Sequence, residues 1–135
     1  MTEDSIAQVK RMAETFNRRD VPALLEVIDP EVVWIPIMAS LEGRVYYGHD
    51  GVCQWIEDLT TDWEHFETHQ DEFQEIGDRL LIFGRWRARA RNSGIELKEP
   101  ASWLVDLRGG RVVRLQTFTD RRDAVEAAHL PAEFR

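Results

Sequence analysis

At 135 residues and a formal net charge of -8, the chain has the length of one domain, and it is too acidic for nucleic acid or an anionic membrane to be its main partner. Hydrophobic residues make up 43% and charged residues 31%, as in ordinary globular proteins. No apolar run approaches the roughly 20 residues that cross a bilayer, and a lone cysteine, Cys53, excludes an internal disulfide. The cysteine usage fits a reducing compartment. The acidic start, Met1-Thr2-Glu3-Asp4, lacks the basic-then-apolar order of a secretory signal. A single cytoplasmic domain over residues 1–135 is therefore expected, with no repeat or linker.

The first helix is expected from about Glu3 to Arg18, where Ile6, Val9, Met12, Ala13 and Phe16 fall at three- and four-residue steps. Thr2 can cap it, with Glu3 and Asp4 complementing the positive end of its dipole. Asp20-Val21-Pro22 starts a second, short helix, and Asp29-Pro30 is expected to stop it, since the residue before proline is driven out of α geometry. Glu31–Pro36 carries Val32, Val33, Trp34 and Ile35 and reads as a first strand. Gly48-His49-Asp50-Gly51 opens a third helix with Val52, Trp55, Ile56 and Leu59 at helical spacing. In it, Cys53 lies one step off the apolar stripe, where a small buried hydrophobe is the default.

From Phe66 onward the pattern changes. The turn signals Gly77-Asp78, Asn92-Ser93-Gly94 and Gly109-Gly110 divide Phe66–Ile76, Arg79–Arg91, Ile95–Leu107 and Arg111–Thr119 into four antiparallel strands. Asp120, with Asp123 three residues on, caps a last short helix through Ala128. The second strand of this meander alternates cleanly. Leu80, Ile82, Gly84, Trp86, Ala88 and Ala90 share one face, and Leu81, Phe83, Arg85, Arg87, Arg89 and Arg91 share the other. The Trp86 face needs cover, from the helices or from a second subunit. Two readings of the arginine face stay open. It is a solvated face paired with Glu67, Asp71 and Glu99, or Phe83 and Arg85, with or without Arg87, enter a pocket mouth where a guanidinium holds an anionic group bidentately.

Asn17-Arg18-Arg19-Asp20, Asp29-Pro30-Glu31-Val32-Val33-Trp34, Tyr47-Gly48-His49-Asp50-Gly51 and Gly110-Arg111-Val112-Val113 with Phe118-x-Asp120 occur in an order that resembles the nuclear transport factor 2-like superfamily, and its SnoaL-like branch in particular. The resemblance runs from about Ile6 to Leu130. It implies an α+β cone, in which helices pack on a strongly curved, mostly antiparallel sheet around a central apolar cavity. It also implies a homodimer through the outer sheet face. The superfamily's reactive positions are mostly unmatched. Where ketosteroid isomerases carry a base before a proline, this chain has Ile35, and their oxyanion donors fall at Met12 and Ser102. The arginine of limonene epoxide hydrolases falls at Arg85, but their two aspartates fall at Arg87 and Thr117. Thr117 also stands where SnoaL-type cyclases place an acid.

His65, Glu67 and His69 alternate on one strand face, a donor set that suits zinc or iron. Residues two apart on a strand lie about 7 Å from each other, however, and an exposed stripe is the commoner meaning. No metal and no cofactor is assigned. His49 reads as a helix-entry residue. The expectation is a protein that binds a small, mostly apolar or amphipathic molecule, with an anionic group held by Arg85. Its wall candidates are Met12, Phe16, Ile35, Trp55, Leu59, Phe83, Leu104 and Thr117, with Arg85 and Ser102 as polar handles. Two alternatives stand beside it. One is a cyclase, dehydratase or hydrolase using His69, Glu99 or Asp120 as base; the other is a non-catalytic dimeric interaction module.

Overall fold

The computed structural model describes residues 2–37 and 43–130, and the side chains of residues 1–3, the Thr2 cap among them, lie outside that description. In chain order the elements are α1 (Thr2–Asn17), α2 (Val21–Glu26), β1 (Ile28–Ile35), β2 (Tyr46–Tyr47) and α3 (Gly48–Asp62). The meander follows as β3 (Trp63–Ile76), β4 (Arg79–Ala90), β5 (Glu96–Arg108) and β6 (Arg111–Phe118), closed by α4 (Arg121–Ala128). One sheet of order β2-β1-β6-β5-β4-β3 holds all the strands. Every pairing in it is antiparallel except β1 with β6. β1 and β3 stand far apart in that order, yet α3 packs on both. Only a sheet curled around the helices allows this, and the result is the expected α+β cone.

The turn between α1 and α2 shows how the sequence docks the helix. Arg19 sits at φ 58, the left-handed residue that ends α1, and its N–H donates to the Phe16 carbonyl at 2.9 Å. The Asn17 carboxamide bonds both the N–H and the carbonyl of Thr68, behaving as one more strand residue on β3. The Arg19 guanidinium donates to the Phe16 and Phe66 carbonyls and lies 4.3 Å from the Phe16 ring centroid. Partial burial lowers its pKa.

Two expectations along this stretch need correcting. α2 already ends at Glu26, and Asp29-Pro30 lies inside β1. The strand tolerates the proline because the β1–β6 register shifts between Ile28 and Val33, leaving Pro30 outside the regular ladder. The two-residue β2 is too short to show a periodicity and was not expected. His49 does serve helix entry: its Nε2 donates to the Ile28 carbonyl at 2.8 Å. Cys53 is half-buried.

The helices cover the inner face of the sheet, and α4 covers part of the outer one. Leu80, Ile82, Trp86 and Ala88 face inward with Ala101, Trp103 and Val105, beneath the helices. Leu81, Phe83 and Leu104 face outward and are buried by Ala124, Ala127 and Ala128 of α4. Trp86 finds its cover inside the chain, stacked on Phe66 at 5.5 Å with Trp63 edge-on at 6.5 Å. No second subunit is needed for it. Gly84 of β4 lies opposite a register shift between Gln70 and Glu72 of β3, and a Cβ there would stand 1.9 Å from the His69 carbonyl oxygen.

Candidate functional site

The inward faces enclose an apolar cavity of about 50 Å³, set in a concave space of about 600 Å³ that runs out toward solvent. α1 lines it with Val9, Met12, Ala13 and Phe16, one helical stripe. Alternate strand residues complete the wall: Trp34 on β1, Phe66, Thr68 and Gln70 on β3, Ile82 and Trp86 on β4, Trp103 and Val105 on β5, and Leu115 and Thr117 on β6. Pro36 and Ile37 follow β1, and Trp55 enters from α3. The rings form a continuous series. Trp34 meets Trp55 at 5.4 Å, Trp55 stacks on Phe16 at 4.8 Å, Phe16 meets Phe66 edge-on at 6.3 Å, and Phe66 stacks on Trp86.

Among the described residues, no Asp, Glu, His, Lys, Arg, Cys or Tyr lines the cavity. Its polar atoms are few. The Gln70 carboxamide donates to the Thr68 hydroxyl at 3.2 Å. Trp34 Nε1, Trp86 Nε1 and Thr117 Oγ1 are buried with no hydrogen-bond partner in the protein. Their residues are 3%, 7% and 2% exposed. A buried donor left unmade costs about 1–3 kcal/mol, so such groups are rare in folded proteins. Three on the wall of one cavity are the chemical signature of this site.

The expected wall is only partly right. Met12, Phe16, Trp55 and Thr117 line the cavity as expected. Ile35 is buried, but its neighbour Trp34 makes the wall, a one-residue parity error that turns a strand residue to the other face. Leu59 is core. Phe83 and Leu104 lie on the other side of the sheet under α4, and buried Ser102 borders a separate outer groove with Phe83, Asp120 and Arg121.

Arg85 does not reach the cavity. Its side chain is 55% exposed on the outer face and pairs with Asp71 at 2.6 Å. Arg87 stands 3.8 Å from Glu67 and Arg89 2.5 Å from Glu96, so the solvated reading of the stripe holds. The candidate bases are also outside. His69 and His65 stand 3.4 and 3.5 Å from the same Glu67 oxygen on the outer face. Partial burial pushes the Glu67 carboxyl up, but hydrogen bonds from His69 and His65 outweigh it and hold the group below the usual glutamate value. Glu99 is exposed on β5. Asp120 caps α4, accepting from Arg122 N–H at 2.8 Å, and Arg122 lowers its pKa. Among the described residues, no three His, Cys, Asp or Glu are grouped to hold a metal ion.

Thr68, Gln70, Ile82, Trp86 and Trp103 are wall residues that sequence reasoning missed. The available signal was Trp86 between Gly84 and Ala88, since small neighbours leave room that a buried indole fills.

The profile of the SnoaL-like domain family matches residues 9–115. The chain belongs to this family. Solved structures agree on the fold of this SnoaL-like protein. An NTF2-like protein of unknown function from Burkholderia pseudomallei is 27% identical, with 94% of this chain and 98% of that one covered and a TM-score of 0.77. TerC, co-crystallised with polyporic acid, is 22% identical over 94% and 99%, with a TM-score of 0.77. A protein with a ketosteroid isomerase-like fold from Catenulispora acidiphila, in complex with trimethylamine, is 15% identical over 95% and 96%, with a TM-score of 0.74. None of the curated proteins matches the chain. No helix among the described residues is long and apolar enough to cross a membrane.

Proposed function

We propose that this SnoaL-like protein holds a small, uncharged, largely apolar molecule in its cavity and performs no acid–base chemistry on it. One observation carries the proposal: the described wall is built of aliphatic and aromatic side chains with a few polar atoms and no titratable group. The expected anionic handle is withdrawn, because Arg85 is on the other side of the sheet. The enzyme alternative needs a base within hydrogen-bond reach of the bound molecule, and His69, Glu99 and Asp120 all lie off the described wall.

Trp34, Trp55, Trp86 and Trp103 line the cavity, so occupancy is read directly from intrinsic fluorescence. Titration with small uncharged aromatics is expected to quench that emission and raise the melting temperature in step, since a ligand that binds only the folded state stabilises it. Neither change across a panel taken to its solubility limit refutes the proposal. A homodimer through the open outer face, where Arg85, Arg87 and His65 are exposed, belongs to the same proposal. Sedimentation equilibrium tests it, and a monomer at every concentration counts against it.

A further inference from the structure

Resting on the cavity-binding reading above, we infer that the cavity selects molecules carrying an uncharged carbonyl-type acceptor oxygen, and that Trp34, Trp86 and Thr117 read that oxygen. An indole N–H donates and never accepts, so Trp34 and Trp86 can be satisfied only by an acceptor. Thr117 does either, and it stands two residues along β6 from Leu115, the register partner of Trp34. Trp34 and Thr117 therefore approach from the β1–β6 side, and Trp86 approaches from β4. All three residues are more than nine-tenths buried and all three line the cavity.

The charge of the acceptor follows from what the wall lacks. A carboxylate would meet no lysine, arginine or histidine among the described lining residues, and an anion buried without a counter-charge is strongly disfavoured. A ligand whose only polar group is an ammonium meets donors where it needs acceptors. A hydrocarbon fills the space but leaves all three groups unpaired. A ketone or related carbonyl satisfies the donors and keeps the site neutral. The ring series from Trp34 to Trp86 favours a flat, aromatic body for the rest of the molecule.

Three bicyclic probes separate the possibilities: tetralin with no acceptor, α-tetralone with one neutral carbonyl, and α-naphthoate with a carboxylate. Tryptophan quenching of the full chain is expected to give α-tetralone about tenfold tighter binding than tetralin, with α-naphthoate weakest. Thr117→Val, close in shape and without the hydroxyl, is expected to shrink that preference while leaving the melting temperature of the free protein level or higher. Trp86→Phe, which removes the N–H and keeps a ring, is expected to shrink it too. Equal binding of tetralin and α-tetralone overturns the inference while leaving the cavity reading intact. So does a preference for α-naphthoate, or a ketone preference unchanged in both variants. Failure of all three probes overturns the cavity reading itself and this inference with it.

Discussion

Gly84→Ala is expected to be the most damaging single methyl addition in the sheet. The new Cβ would stand 1.9 Å from the His69 carbonyl oxygen and 3.0 Å from its carbon. Both are backbone atoms of the neighbouring strand, so no rotamer change relieves the clash. Bringing the contact to an ordinary distance moves β3 away from β4 by about 1.5 Å at the bulge. That loosens about two ladder hydrogen bonds at roughly 1 kcal/mol each and adds roughly 1–3 kcal/mol of overpacking strain. The reduced freedom of the unfolded chain returns about 0.4–1 kcal/mol. The net loss is about 3 kcal/mol. In urea at an ordinary slope of about 2 kcal/mol/M, the unfolding midpoint falls by about 1.5 M with the slope unchanged. Gly77→Ala is the control, since its site has open space and a φ of +61, so it reports left-handed strain without a clash. A loss at Gly84 no larger than at Gly77 would show instead that the two strands part without cost.

Other expectations test other joints. Asn17→Ala removes the side chain that bonds both backbone groups of Thr68, and is expected to cost about 1–2 kcal/mol in denaturant unfolding. Arg85→Ala breaks an exposed ion pair and is expected to change stability by less than about 0.5 kcal/mol, with ligand-induced quenching unaltered because the residue is outside the cavity. Tyr46→Phe removes the hydrogen bond from the Tyr46 hydroxyl that, with one from Gln54, holds the Asp58 carboxyl below its usual value. An aspartate with a depressed folded-state pKa stabilises above its unfolded value, and that stability is lost as pH falls through the folded value. The melting-temperature deficit of Tyr46→Phe is therefore expected at neutral pH and is expected to fade in acid below the ordinary aspartate range; a deficit that grows in acid would contradict it.

The container was legible in the sequence and its lining only partly so. Three glycine-bearing turns set the meander strands to within a few residues of their observed ends, because each turn needs a backbone geometry that few residues adopt. The Asp20 and Asp120 caps and the α1 stripe were readable for the same local reason. What failed was the choice of face. β4 has apolar residues on both sides where α4 covers the outside, so Leu81 and Phe83 look as much like pocket wall as Ile82 and Trp86 do. Alternation tells which residues share a face and is silent about which face is the cavity. The parity error at Ile35 has the same origin. The unpaired donors were invisible because partnership is a property of packing.

A cavity that binds without an ionisable group holds its ligand equally well at any moderate pH, and the pH profile of binding checks this. The dissociation constant of α-tetralone, read from tryptophan quenching between about pH 5 and about pH 8, spans the range in which a histidine or a tuned carboxyl titrates. It is expected to stay level throughout, because His65 and His69 stand on the outer face and no titratable side chain is on the described wall. A single sigmoidal or bell-shaped change of about tenfold or more would instead put an ionisable side chain at the bound molecule.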